Sequence, residues 1–300
     1  MKTKLQLLAT AWIFFASVAL ISCQKESSLK TPAVSDEELL TTSQENTAAD
    51  AEYDDIAEIG LSLGADLEAQ SSDNGTATQS VTDGGLGVRS NLFENLEFKI
   101  GPCTKIDVLP NDSTFPKTVI INYGDGCICR DGKFRKGAIV LHYTGPIRRA
   151  GSVLTITFRG FYVNRIHIEG TKTIRNLSEE GVHKYATMVE NGKVTWPGGR
   201  GFTYEGAKVV TQLRGMETRA VRDDVYSIEG RNKTVYANGT TINKNTETPL
   251  IKPVACAWIV KGVLKIRIND RVLYIDFGNG DCDNKATLKW ANGEKEITLP

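Results

Sequence analysis

Six Asx-Gly dipeptides punctuate the chain after position 90: Asp125-Gly126, Asp131-Gly132, Asn191-Gly192, Asn238-Gly239, Asn279-Gly280 and Asn292-Gly293. Such dipeptides adopt the positive-φ backbone that tight hairpin turns need. Between them lie short apolar or β-branched runs: Val119 to Tyr123, Ala138 to Tyr143, Val153 to Phe158, Val263 to Ile268 and Val272 to Phe277. Connections this short favour antiparallel neighbours, because a parallel pair needs a crossover of a dozen or more residues. The expected fold class is mainly β, an antiparallel meander over 90–300.

The hairpin around Asn269-Asp270 can be registered residue by residue. It pairs Ile268 with Arg271, Ile266 with Leu273 and Leu264 with Ile275, which collects apolar side chains on one face. Lys265 with Tyr274 and Arg267 with Val272 fall on the other face. At Asn164-Arg165, Phe161, Val163, Ile166 and Ile168 share one face, while Tyr162, His167 and Glu169 share the other. One side of each hairpin is too polar to be covered, so the sheet is expected to be curved, closing part-way as a half-barrel or packing as a sandwich.

A duplication runs through this β region. Ile121-Asn122-Tyr123-Gly124-Asp125-Gly126-Cys127 recurs as Ile275-Asp276-Phe277-Gly278-Asn279-Gly280-Asp281-Cys282. Each copy has a cysteine upstream, Cys103 and Cys256, which suggests two related modules at about 103–145 and 256–300. The hairpin register places Cys256 one residue out of line with Cys282, a mismatch that a single β-bulge removes. By analogy Cys103 would join Cys127, but Cys129 competes for it, and the sequence leaves both pairings open.

The front of the chain carries an address. Lys2 and Lys4 precede an apolar run from Leu5 to Ile21, and Leu20-Ile21-Ser22-Cys23 closes it, which makes 1–22 a secretory signal. The closing tetrad resembles the bacterial lipobox. That resemblance implies cleavage before Cys23, a diacylglyceryl group on its thiol with acyl chains such as palmitate, and membrane lipid as the first partner. Cys23-Gln24-Lys25-Glu26 resembles the signal that sends Bacteroidota lipoproteins to the outer face of the outer membrane.

Between Thr31 and Val88 there are thirteen acidic residues and no Lys or Arg, whereas Arg89 to Pro300 holds thirty-two basic against twenty-two acidic residues. The formal net charge of zero therefore hides a strongly acidic segment and a basic body. Poor in apolar side chains, 23–89 is expected to be a flexible acidic tether. Within it, 48–70 places Ile56, Ile59, Leu63 and Leu67 on one helical face, with Asn46 or Thr47 as a cap and Asp50, Glu52, Asp54 and Asp55 near the N-terminus. Such a helix could dock on the basic body. Gly60 and Gly64, each costing about 1 kcal/mol in a helix, favour a frayed helix in a solvated linker instead.

Gly170-Thr171-Lys172-Thr173, Cys256 to Gly262, and Ile275 to Thr287 resemble segments of a family of Bacteroidota lipoproteins for which no activity is established. The resemblance covers most of the β region and the signal. It implies an outer-membrane location and a β fold, and adds no chemistry.

The body carries little that chemistry could use. Asp276, Asn279, Asp281 and Asp283 invite a calcium loop, but an EF-hand spacing would need Gly at 284 and Glu at 290, where Asn284 and Trp290 stand. His142, His167 and His183 have no zinc spacing, and Glu180-x-x-His183 has no second copy. No nucleophile motif is present, Gly201 to Lys208 lacks the Gly-Lys-Ser/Thr of a phosphate loop, and Asp223-Asp224 and Glu179-Glu180 are adjacent pairs, not opposed carboxylates. The expectation is a non-enzymatic envelope lipoprotein without a cofactor, a binding or structural module. Trp196, Phe202, Tyr204, Trp258 and Trp290 are candidates for contacting a glycan or another envelope component, and nucleic acid is not expected because no basic run interleaves with aromatics. A carrier of lipid or another hydrophobic ligand is the first alternative, and a glycan-directed hydrolase the second.

Overall fold

The computed structural model describes residues 36–72, 100–217 and 221–299. Cys23, the signal and the surface-export tetrad lie outside them. Among the described residues a long helix, α1 (Asp36–Ser72), precedes thirteen strands: β1 (Lys105–Leu109), β2 (Lys117–Ile128), β3 (Phe134–Tyr143), β4 (Val153–Val163), β5 (Ile166–Asn176), β6 (Lys184–Thr195), β7 (Gly201–Arg214), β8 (Val225–Tyr236), β9 (Thr241–Pro253), β10 (Lys261–Ile268), β11 (Arg271–Asn279), β12 (Lys285–Trp290) and β13 (Gly293–Thr298). All thirteen belong to one sheet in strict chain order, every neighbour antiparallel, and β1 does not meet β13. The meander is therefore an open, curved sheet, and the two-sheet sandwich is set aside.

The β10–β11 register is the one expected, Ile268 opposite Arg271 through Leu264 opposite Ile275, with Asn269 at φ 51° making the turn. Asn164 and Arg165 also take positive φ, and Phe161 pairs with Ile168. Asp131-Gly132, Asn238-Gly239 and Asn292-Gly293 sit at the β2–β3, β8–β9 and β12–β13 turns. Asn279-Gly280 leads from β11 into the β11–β12 connection, Gly280 at φ 123°. The other two do not turn the chain: Asp125-Gly126 lies inside β2 and Asn191-Gly192 inside β6, at register shifts. At Gly192 the reason is close approach, since a Cβ there would stand 2.5 Å from the Tyr204 carbonyl oxygen and 3.0 Å from the Tyr53 hydroxyl.

The duplicated segments have the same construction. Each forms a hairpin, β1–β2 or β10–β11, closed at its open end by a disulfide: Cys103–Cys127 and Cys256–Cys282, both with Cα atoms 5.8 Å apart. In each, a side-chain oxygen accepts from the amide two residues on, Asn122 Oδ1 from Gly124 at 2.8 Å and Asp276 Oδ1 from Gly278 at 3.0 Å. The intervening aromatic residues, Tyr123 and Phe277, point inward and are buried. Cys129 keeps a buried free thiol, its Sγ 3.4 Å from the Ile100 carbonyl oxygen that it donates to.

Helix α1 fills the concave side of the sheet, where a frayed helix in a solvated linker was expected. Ile56, Ile59, Leu63 and Leu67 are buried as the periodicity predicts, joined by Ala49, Tyr53 and Ala57, and they share one core with inward residues from β2 through β11. The two glycines that weaken the helix are what let it approach. A Cβ on Gly60 would lie 2.8 Å from Leu154 Cδ2, and one on Gly64 would lie 2.9 Å from both Ile147 Cγ2 and Tyr143 Cε1. Asn46 caps nothing; it sits inside the helix, buried, with its amide donating to Thr234 Oγ1.

Candidate ligand groove

The concave face is unusual in carrying lysines where strand alternation calls for apolar side chains. Lys172 shares a face with Ile174, Lys208 with Val210 and Lys244 with Ile242. Each meets an acid of α1. Lys244 Nζ is 3.0 Å from Asp50 Oδ2, Lys172 Nζ 3.0 Å from Asp54 Oδ1, and Lys208 Nζ 2.7 Å from Asp54 Oδ2. Asp50 also accepts from the Tyr204 hydroxyl and, at 3.0 Å, from Asn232 Nδ2. Nearer the β2–β3 turn, Arg135 bonds Asp55 at 2.9 Å and Asp131 at 2.7 Å, and Lys133 bonds Glu52 at 3.0 Å. Lys133, Arg135, Lys172, Lys208 and Lys244 thus direct positive charge of the body inward onto the acidic helix.

Burial by itself would raise the Asp50 carboxyl, but Lys244, Lys208 and the Tyr204 hydroxyl outweigh it and hold the group below the usual carboxylate range. Asp54 is lowered in the same way, Lys208 and Lys172 outweighing desolvation. Desolvation wins at Lys172, whose ammonium is shifted down. At Lys208 the two aspartates win and shift it up. The tyrosine beside them, Tyr204, is pushed well above the ordinary phenol value by burial and by Asp50. The cluster joins lysines and carboxylates around a buried tyrosine, an arrangement that fits anchoring of the helix to the sheet.

Beside this ionic floor the helix leaves part of the sheet uncovered. A groove of about 3290 Å³ runs between one flank of α1, including Glu58, Leu61 and Ala65, and the concave face of the later strands. Its apolar wall includes Ile228, Leu264, Ile275, Leu288 and Ile297, all only half-buried. Register puts them side by side: Leu264 faces Ile275, and Ile275 faces Leu288. Trp258 and Trp290 also line the groove, Trp290 with 39% of its surface exposed. At the rim, Lys252 donates to the Cys256 carbonyl oxygen, which ties the second disulfide to the groove wall.

The remaining residues singled out in the sequence scatter. Phe202 and Tyr204 are core residues, and Trp196 packs against Phe202 with ring centroids 5.3 Å apart. Asp276 Oδ2 pairs with Lys289 at 2.8 Å, while Asn279 and Asp283 accept from the amides of Asp281 and Lys285. Their oxygens make turns, and among the described residues no three His, Cys, Asp or Glu converge as metal ligands. His142 bonds Thr118, His167 lies against Tyr162 and Glu169, and His183 bonds Gln212. Gly201 to Lys208 is an ordinary stretch of β7.

Sequence reasoning reached the groove wall at Leu264 and Ile275, which follow from the hairpin register. It missed the lysine floor, for which a signal existed: Lys172, Lys208 and Lys244 each stand at the inward parity of a strand, where a charge needs a buried partner. No family model, curated protein or solved structure matches this chain.

Proposed function

We propose that this protein is a cell-envelope binding module, exported, acylated at Cys23 and held in the outer membrane, whose groove takes a hydrophobic ligand. One observation carries the ligand reading. Leu264, Ile275 and Leu288, the apolar row across β10–β12, are only partly buried and line a large groove, whereas the inward apolar residues of the earlier strands are buried with α1. Apolar concavities of this kind mark ligand or partner sites, because uncovered apolar area disfavours the free state. The anchoring reading is supported by the signal, by the Leu20-Ile21-Ser22-Cys23 lipobox and by the resemblance to Bacteroidota lipoproteins. Native mass spectrometry of protein purified from membranes tests the groove. A stoichiometric apolar ligand beyond the acyl chains on Cys23 is the expected result, and a mass accounted for by the acylated chain alone, with no uptake of added lipid, would refute it.

A further inference from the structure

The nature of the ligand can be specified further from the register of the groove, given that the hydrophobic-ligand reading holds. Starting at Lys208 on β7, the inward positions on successive strands are Gly230, Thr246, Leu264, Ile275 and Leu288, all of them lining the groove. Five strand spacings of about 4.8 Å make this a path of about 24 Å that is polar at one end and apolar at the other.

Two features of the polar end point to a headgroup. Among the described residues Lys172, Lys208 and Lys244 pair with Asp50 and Asp54, three ammonium groups against two carboxylates. Lys208 is the most exposed of the three, its side chain at 23% against 3% and 4% for the others. The second feature is Asn232, which lines the groove. It is 9% exposed, and its Oδ1 has no donor among the described residues, whereas a buried acceptor ordinarily has one.

We infer that the groove takes a single-chain lipid with one negative charge and a hydroxyl in its head, of the lysophosphatidylglycerol type. The phosphate meets Lys208, the hydroxyl donates to Asn232, and the chain lies over Leu264, Ile275 and Leu288.

The test compares lysophosphatidylglycerol with the uncharged monoacylglycerol of the same chain, each below its micellar concentration, titrated against delipidated full-length protein by tryptophan fluorescence. The expected result is about tenfold tighter binding of the anionic lipid, the worth of one charge-assisted contact, with the gap shrinking as salt is added. Lys208→Gln should close the gap by weakening the anionic lipid alone, while Leu288→Asp should weaken both. Should Lys208→Gln misfold, the salt dependence of the unaltered protein decides. Equal affinity for the two lipids would overturn this inference and leave the hydrophobic-ligand reading standing. Binding of neither would overturn both, and a dimer in native mass spectrometry would then assign the groove to a second copy of the chain.

Discussion

The Tyr143 hydroxyl on β3 donates to the Gly60 carbonyl of α1 at 2.7 Å, both groups buried. A side chain of the sheet thus reaches the backbone of a helix 83 residues away, at a glycine whose Cβ would press on the tip of Leu154. The contact makes the acidic segment part of the core.

Glycine at 60 and 64 should therefore behave opposite to helix propensity. In an isolated helix Gly→Ala gains about 1 kcal/mol. In the folded protein Gly64→Ala should lose about 1–3 kcal/mol, because its neighbours are the ring of Tyr143 and the branched side chain of Ile147. Gly60→Ala should cost less, since the nearest atom is the tip of Leu154. Urea unfolding of both variants checks the order, and stabilisation by Gly64→Ala would contradict the packing.

Asp50 anchors the helix to Lys244, whose side chain is only 4% exposed. Asp50→Asn strips a buried ammonium of its counter-charge and should cost about 3–5 kcal/mol, whereas adding Lys244→Met should recover much of that loss. A double-mutant cycle in urea measures the coupling, and additive effects would mean that the pair does not hold the helix.

The same carboxylate sets an acid limb. Its folded pKa lies below the unfolded value, so its contribution is complete at neutral pH and is lost as pH falls below about 4. Asp54 acts in the same direction. The urea midpoint should drop below about pH 4, and Asp50→Asn should make that drop shallower; an unchanged slope in the variant would place the acid sensitivity elsewhere.

Each disulfide closes a hairpin separated by 24 or 26 residues, which in the chain-entropy model is worth about 3–4 kcal/mol. Cys256→Ser, Cys282→Ser and the double variant should unfold at similar midpoints, because the two residues act as one unit. Non-reducing peptide mapping should find Cys103 joined to Cys127 and Cys256 to Cys282, with Cys129 alkylated only after unfolding. A Cys103–Cys129 peptide would reverse the first assignment.

Cys23→Ala should leave an unprocessed, unacylated precursor held in the membrane by its apolar run. Mature-sized, acylated protein from that variant would refute the lipobox reading.

The local content of the sequence decided the strands, the face each residue takes and the hairpin register, because side chains in a strand alternate with period two and a slip of one residue would turn every apolar side chain outward. It also decided which face of α1 is apolar, through the spacing of Ile56, Ile59, Leu63 and Leu67. It did not decide what that face meets. Gly60 and Gly64 read as weak points until Tyr143, Ile147 and Leu154 are brought against them, and Asp125-Gly126 and Asn191-Gly192 read as turns until neighbouring strands make them bulges. The partners of Asp50, in Tyr204, Asn232 and Lys244, lie 154 to 194 residues away, beyond any periodicity that a local window can register. Only tertiary structure could make the acidic segment a core element, because the energy that orders it comes from burial and ion pairing that do not exist until the sheet has curved around it.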